Sequence, residues 1–198
     1  MTADIFGDLI KSVITLLVVI DPIASVPIIM AMTHNMETKK KTSISNITII
    51  TVTVLLFVFA FVGDAIFSVF GISMFSFMIA GGVLLFIVAI ELLTHGEWKF
   101  GSQNLADESG VVPLAFPLLA GPGALTLVIL SFEKYGPLTT VLSIIIVLGI
   151  TYAVLRLVDP IYRLLGKRGS MIVTRIFAII VAAFAVQFVI DGIKQIFH

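Results

Sequence analysis

The chain has 198 residues, 59% hydrophobic and 12% charged, with a mean hydropathy of +1.18, whereas a soluble domain carries about twice that charged fraction. Formal net charge is zero, which leaves no basic footprint for nucleic acid and no acidic tail. Cysteine is absent, so disulfides and thiolate metal sites are excluded. This is the composition of an integral membrane protein, and the fold class it implies is all-α.

From the N-terminus, Met1 to Gly7 carries Asp4 and no lysine or arginine, and the apolar stretch behind it runs too long for a cleavable signal. The first segment is therefore expected to stay in the mature protein. A spanning helix needs about 20 mostly apolar residues, and six stretches qualify: Ile10 to Met32, Ile44 to Val62, Ile72 to Leu93, Val111 to Phe132, Leu138 to Val158 and Val173 to Ile193. The one long connection, residues 94–110, is polar (Glu97, Lys99, Gln103, Asn104, Asp107, Glu108). It divides the chain into a first three-helix unit, 1–93, and a second, 111–198.

Five of the seven prolines lie in the first and fourth stretches, Pro22 and Pro27 in one, Pro113, Pro117 and Pro122 in the other. A broken helix in a bilayer leaves backbone groups that only protein or a water-filled cavity can satisfy. Helices 1 and 4 are accordingly expected to be discontinuous at Asp21-Pro22 and Gly121-Pro122. The two units also echo each other. Val19-Ile20-Asp21-Pro22-Ile23-Ala24 lies over Leu119-Ala120-Gly121-Pro122-Gly123-Ala124, Asp64-Ala65-Ile66-Phe67 over Asp159-Pro160-Ile161-Tyr162, and Glu91 over Asp191. A unit of three spans starts on one side and ends on the other, so a second copy inserts upside down. Inverted repeats with a solute site between discontinuous helices are a recurring plan of secondary transporters.

Lysine and arginine set the orientation. Lys39, Lys40, Lys41, Lys99, Arg163, Lys167 and Arg168 lie in loops 1-2, 3-4 and 5-6, against Lys11, Lys134 and Lys194 on the other side. The first set is expected to face the cytoplasm, with both termini outside, and the connection 94–110 to be cytoplasmic.

Asp21 stands midway along helix 1, where a carboxylate costs several kcal/mol unless it is protonated, paired or facing water. Two readings stay open: a proton-carrying or amine-binding carboxylate, or an N-cap for a half-helix that restarts at Pro22. At the second break, Gly121, Pro122, Gly123 and Ala124 offer bare backbone. N-H groups at the start of a half-helix suit a carboxylate, and the alternative is close helix packing. The binding set read from these features is Asp21, Pro22, Ile23, Ala24, Ser25, Gly121, Pro122, Gly123, Ala124 and Thr126, with Asp21 as coupling candidate. Ser25 and Thr126 would offer hydroxyls or bond their own backbone. Gln187 faces the cavity or a neighbouring helix. Glu91 and Asp191 are expected at solvated helix ends, with Lys194 one turn from Asp191. Arg156 and Asp159 share a face as a cytoplasmic pair. Ala80-Gly81-Gly82 and Ala182-Ala183 are read as close-packing surfaces. His34, His95 and His198 have no ligand spacing, so no metal site is expected. No phosphate loop, nucleophile elbow or nicotinamide fingerprint occurs, which points away from an enzyme and from a bound cofactor.

Val19-Ile20-Asp21-Pro22-Ile23, Ile79-Ala80-Gly81-Gly82-Val83-Leu84-Leu85, Phe116-Pro117-Leu118-Leu119-Ala120-Gly121-Pro122-Gly123-Ala124 and Ala185-Val186-Gln187-Phe188-Val189-Ile190-Asp191-Gly192-Ile193 together resemble the MarC family over essentially the whole chain. Within that family the chain looks most like archaeal carriers of small neutral amino acids. The resemblance implies a cell-membrane or inner-membrane symporter for glycine and alanine driven by protons, with six helices in two inverted triplets. The motif positions that carry over are Asp21, Pro22, Gly121, Pro122 and Gly123. Ser25 departs from the glycine or asparagine expected beside the first motif. The partners implied are a small neutral amino acid, a proton and the lipid bilayer, with no nucleic acid. An exporter or channel for another small solute, without proton coupling, is the alternative.

Overall fold

The computed structural model describes residues 5–33, 37–95 and 114–196. Nearly all of them are helical: α1 (Ile5–Ile20), α2 (Pro22–Thr33), α3 (Thr38–Phe70), α4 (Met74–His95), a wider π-type segment counted as α5 (Leu114–Leu119), α6 (Pro122–Arg156) and α7 (Val158–Ile196). Beyond His95, the polar connection lies outside the described residues, as do His34, Pro113 and His198.

Among the described residues four stretches are long and apolar enough to cross a membrane: Lys39–Phe70, Met74–His95, Pro122–Arg156 and Arg168–Ile196. The other two apolar stretches of the sequence coincide with shorter helices placed end to end. α1 and α2 flank Asp21, and α5 and the start of α6 flank Gly121.

Local chemistry sets the ends. α3 was expected to stop at Val62 with a loop from Gly63 to Gly71, but it continues to Phe70. Ala65 to Phe70 is apolar apart from Ser68 and holds no breaker, and Gly63 packs against Ile129 rather than turning the chain. The helix ends at Gly71, where φ is 64°. Gly71 N-H donates to the Ser68 carbonyl and Ile72 N-H to the Phe67 carbonyl, the two bonds of a Schellman motif, whose left-handed residue favours glycine. α4 then starts from Ser73, whose Oγ accepts the Ser76 N-H at 3.0 Å.

α6 is interrupted at Gly136 (φ 82°, ψ 171°) and resumes with Pro137. Ser131 Oγ and Thr140 Oγ1 stand 3.1 Å apart, although nine residues of straight helix would put them about 13 Å apart. The two arms of α6 therefore fold back beside each other. α7 is likewise interrupted at Gly166.

The principal pairings are α4 with α7, α3 with α6, α1 with α6 and α2 with α7. The helices on either side of Asp21 thus have different partners. Two buried clusters reflect this. One joins Val26, Ile29 and Met30 of α2 to Leu85, Ala89 and Leu92 of α4 and Ala178, Val181 and Ala185 of α7. The other joins Leu16 and Ile20 of α1 to Val52, Leu56 and Ala60 of α3 and Ala124, Val128, Ile144 and Val147 of α6. Outside, Val18, Val54, Val69, Ile145 and Ile176 are exposed. So continuous an apolar surface suits lipid rather than water.

Candidate functional site

The chain between α1 and α2 turns on Asp21, which adopts φ 41°. An N-cap has extended backbone, so the capping geometry expected for Asp21 does not occur. Its N-H donates to the Leu17 carbonyl at 3.0 Å, the single bond that closes a helix on a left-handed residue. Its carbonyl in turn accepts the Ser25 N-H at 3.3 Å and the Ser25 hydroxyl at 3.1 Å. One residue therefore ends α1 and begins α2. Holding a non-glycine residue there costs about 1 kcal/mol, to which aspartate is better suited than most. Pro22 follows at the first helical position, where its missing N-H is not needed.

Between α5 and α6 the roles are reversed. Gly121 has φ -67° and ψ 169°, a conformation open to any residue, so backbone freedom is not its reason for being glycine. A Cβ there would stand 2.5 Å from the Pro117 carbonyl oxygen. The Ala120 N-H donates to the Ala115 carbonyl, closing the wider π-type turn, and the Leu125 N-H to the Gly121 carbonyl, opening α6. Close approach explains the neighbours too. A Cβ on Gly123 would lie 2.9 Å from the Phe188 ring and 3.1 Å from Val19, and one on Gly81 of α4 would lie 2.1 Å from Pro122.

A crevice of about 160 Å³ opens beside Asp21. Asp21 and Ser25 supply its polar groups, while Val19, Leu85, Leu118, Val181, Phe184 and Phe188 wall it. Phe188 is shared: it lines the crevice on one side and fills the space over Gly123 on the other. Val19 is shared in the same way, so one phenyl ring and one valine stand between the crevice and the start of α6. The sequence reading gave Phe188 no role, since one phenylalanine among 16 carries no signal until its neighbours are known.

Of the expected set, Asp21 and Ser25 line the crevice. Pro22, Gly121, Pro122, Gly123 and Ala124 are buried at the two junctions. Ile23 is 68% exposed and points away, and the Ala24 side chain lies outside the described residues. Thr126 Oγ1 is buried with no hydrogen-bond partner among the described atoms. Among the described residues Gln187 is not part of the crevice lining. It is exposed and donates to the Asp191 carboxylate at 2.7 Å, one turn along α7. Glu91, expected at a solvated end, is only 8% exposed, because the inward face of α4 that carries Leu85, Val88 and Leu92 continues through it. Arg156 bonds the Tyr152 hydroxyl and sits over that ring, while Tyr152 donates to Asn46 Oδ1 at 3.2 Å. The Asp159 side chain lies outside the described residues. No cluster of His, Asp and Glu able to hold a metal occurs among the described residues.

A second polar feature went unread in the sequence. Between α1 and the two arms of α6 lies a cavity of about 290 Å³, lined by Ser12, Thr15, Leu127, Ser131, Lys134 and Ser143 among others. Ser12 Oγ is 2.9 Å from both Ser131 Oγ and Ser143 Oγ. Ser12 is more than 100 positions from both of the others, and isolated serines in apolar helices ordinarily bond their own backbone, so nothing local links it to them.

The model of the MarC family of integral membrane proteins matches residues 6–197. A UPF0056 membrane protein of Archaeoglobus fulgidus is 37% identical over 191 residues, covering 91% of this chain and 90% of that protein. One from Pyrococcus horikoshii is 37% identical over 180 residues, 89% and 90% of the two chains, and YhcE of Escherichia coli is 31% identical over 199 residues, 94% and 92%. No solved structure matches significantly. Matched almost from end to end, and built of the long apolar helices described above, the chain belongs to the MarC family of integral membrane proteins.

Proposed function

We propose that the protein is a secondary carrier for small neutral amino acids such as glycine and alanine, coupled to protons, working by alternating access, and not an enzyme. It would sit in the cell membrane as six spans in two inverted triplets, α1 with α2 as the first and α5 with the first arm of α6 as the fourth. Both termini would face outward.

The observation that carries this reading is the crevice at Asp21. It is polar at one point and apolar elsewhere, the pattern of a small-ligand site. Its volume of about 160 Å³ leaves room for glycine or alanine with water beside it. The ammonium would sit near Asp21 and the Ser25 hydroxyl. The carboxylate would reach the N-terminal end of α6 once Phe188 and Val19 give way, since that end carries the positive end of a helix dipole. Asp21 also lies where α1 and α2 change partners, so protonating it would act on a junction between two separately packed clusters.

The test is uptake of radiolabelled alanine by proteoliposomes under an imposed pH gradient. Accumulation that collapses with a protonophore is expected. Intact, reconstituted protein that accumulates no alanine would refute the proposal.

A further inference from the structure

The hydroxyl cluster beneath the larger cavity has fewer hydrogens than contacts. Ser12 Oγ donates to Ser143 Oγ, Ser143 Oγ to the Thr140 carbonyl at 2.8 Å, and Thr140 Oγ1 to the Gly136 carbonyl at 3.0 Å. Ser131 Oγ lies 2.9 Å from Ser12 Oγ and 3.1 Å from Thr140 Oγ1. Both of those oxygens have already committed their hydrogen. Each hydroxyl has one hydrogen and two lone pairs, so Ser131 can satisfy one neighbour and must face the other oxygen to oxygen. Four hydroxyl hydrogens serve five contacts. Ser12, Thr140 and Ser143 are buried, so the deficit is met, if at all, by what occupies the cavity beside half-buried Ser131.

The deficit is of donors, and it faces a cavity. Ser12, Ser131 and Ser143 line the 290 Å³ space, Leu16, Leu127 and Val128 give it apolar walls, and Lys134 stands on its lining as a cation held over the Tyr135 ring, 5.0 Å from the centroid. A ligand matching this lining carries a compact multiple donor at one end, an anion at the other and little apolar bulk between. An ammonium supplies three donors, and a carboxylate pairs with a lysine ammonium.

We infer that this cavity is a second binding site for a small zwitterionic amino acid, its ammonium on Ser131 and Ser12 and its carboxylate on Lys134. It is separate from the crevice at Asp21. The inference rests on the transport reading for its choice of solute. On the orientation proposed above, Lys11 and Lys134 lie on the outer face, so the site would hold solute on the outside before it reaches the crevice.

Because the chain contains no cysteine, a single reporter can be placed in the cavity wall. Leu127→Cys should react with a membrane-impermeant thiol reagent, and millimolar alanine should slow that reaction severalfold. Equilibrium dialysis of labelled alanine against the purified protein should find two equivalents per chain. Lys134→Met, at an exposed position where folding is not at stake, should weaken one of them about tenfold, equivalent to about 1.4 kcal/mol, and Ser131→Ala should do likewise. One equivalent in the native protein together with unprotected Leu127→Cys overturns this site while leaving the transport reading standing. No bound alanine at all overturns both.

Discussion

Replacing Gly81 by alanine should loosen the junction on which the start of α6 rests. A Cβ on Gly81 would lie 2.1 Å from Pro122 Cγ and 2.8 Å from its Cδ, whereas ordinary contact begins near 3.4 Å. The gap must therefore open by 3.4 − 2.1, about 1.3 Å. The pyrrolidine ring is closed onto its own backbone and cannot rotate aside, so α4 or the whole of the first arm of α6 has to move. Overpacking of this kind costs typically about 1–3 kcal/mol, and a rigid obstacle belongs near the middle of that range. For a chain of 198 residues, each kcal/mol shifts the melting temperature by about 2–4 °C, so a loss of about 4–8 °C is expected. Thermal unfolding of detergent-purified protein, read as the fraction surviving size exclusion after heating, measures it. Gly149→Ala is the control. It has nothing within 4 Å and no positive φ, so alanine there should match or raise stability by up to about 1 kcal/mol. Adding Pro122→Ala to Gly81→Ala should restore part of the loss, since contacting residues are not additive. Equal melting of Gly81→Ala and the native protein, or equal loss in both glycine variants, would refute the reasoning.

Asp21→Gly keeps a residue suited to φ 41° while removing the carboxylate. Its stability should stay within about 1 kcal/mol of native, and if Asp21 couples protons it should lose gradient-driven uptake and retain alanine exchange; undiminished concentrative uptake would exclude Asp21 from coupling. Phe188→Ala should widen the crevice toward Gly123, leaving Val19 in place, and shift competition for uptake toward larger side chains such as leucine, and an unchanged competition profile would show that Phe188 does not limit size. Thr174→Val removes the buried bond from Thr174 Oγ1 to the Pro27 carbonyl, 2.9 Å long. Bonds between membrane helices average about 0.6 kcal/mol, so a fall of about 1–3 °C in melting temperature is expected, and a fall of 10 °C or more would show that the residue does more than bridge α2 and α7.

Much of the fold was legible because the rules behind it are local. Apolar run length marks the long helices, and Gly71 and Ser73 carry the turn chemistry that separates α3 from α4. Boundaries were less legible where no breaker stood, as between Val62 and Phe70, where an apolar helix simply continues until a glycine stops it. At the candidate site, Asp21 and Ser25 could be picked out because polar groups midway along an apolar stretch are conspicuous. Ile23 and Gln187 could not be sorted from them, because the side of a broken helix that faces the protein depends on the angle at the break.

The sequence by itself determined that the chain belongs in a membrane, which stretches are apolar enough to lie there, and that Pro22 and Pro122 stand at junctions in the chain. Those are properties of composition and of the proline ring. Only the tertiary structure decided how the junctions work. It put the aspartate, not the glycine, in the left-handed conformation, placed Phe188 over Gly123 and Pro122 against Gly81, buried Glu91, and brought Ser12 to Ser131 and Ser143. Each of these depends on a neighbour distant in sequence, and in a chain so uniformly apolar it is steric fit between such neighbours, rather than polarity, that decides which residues meet.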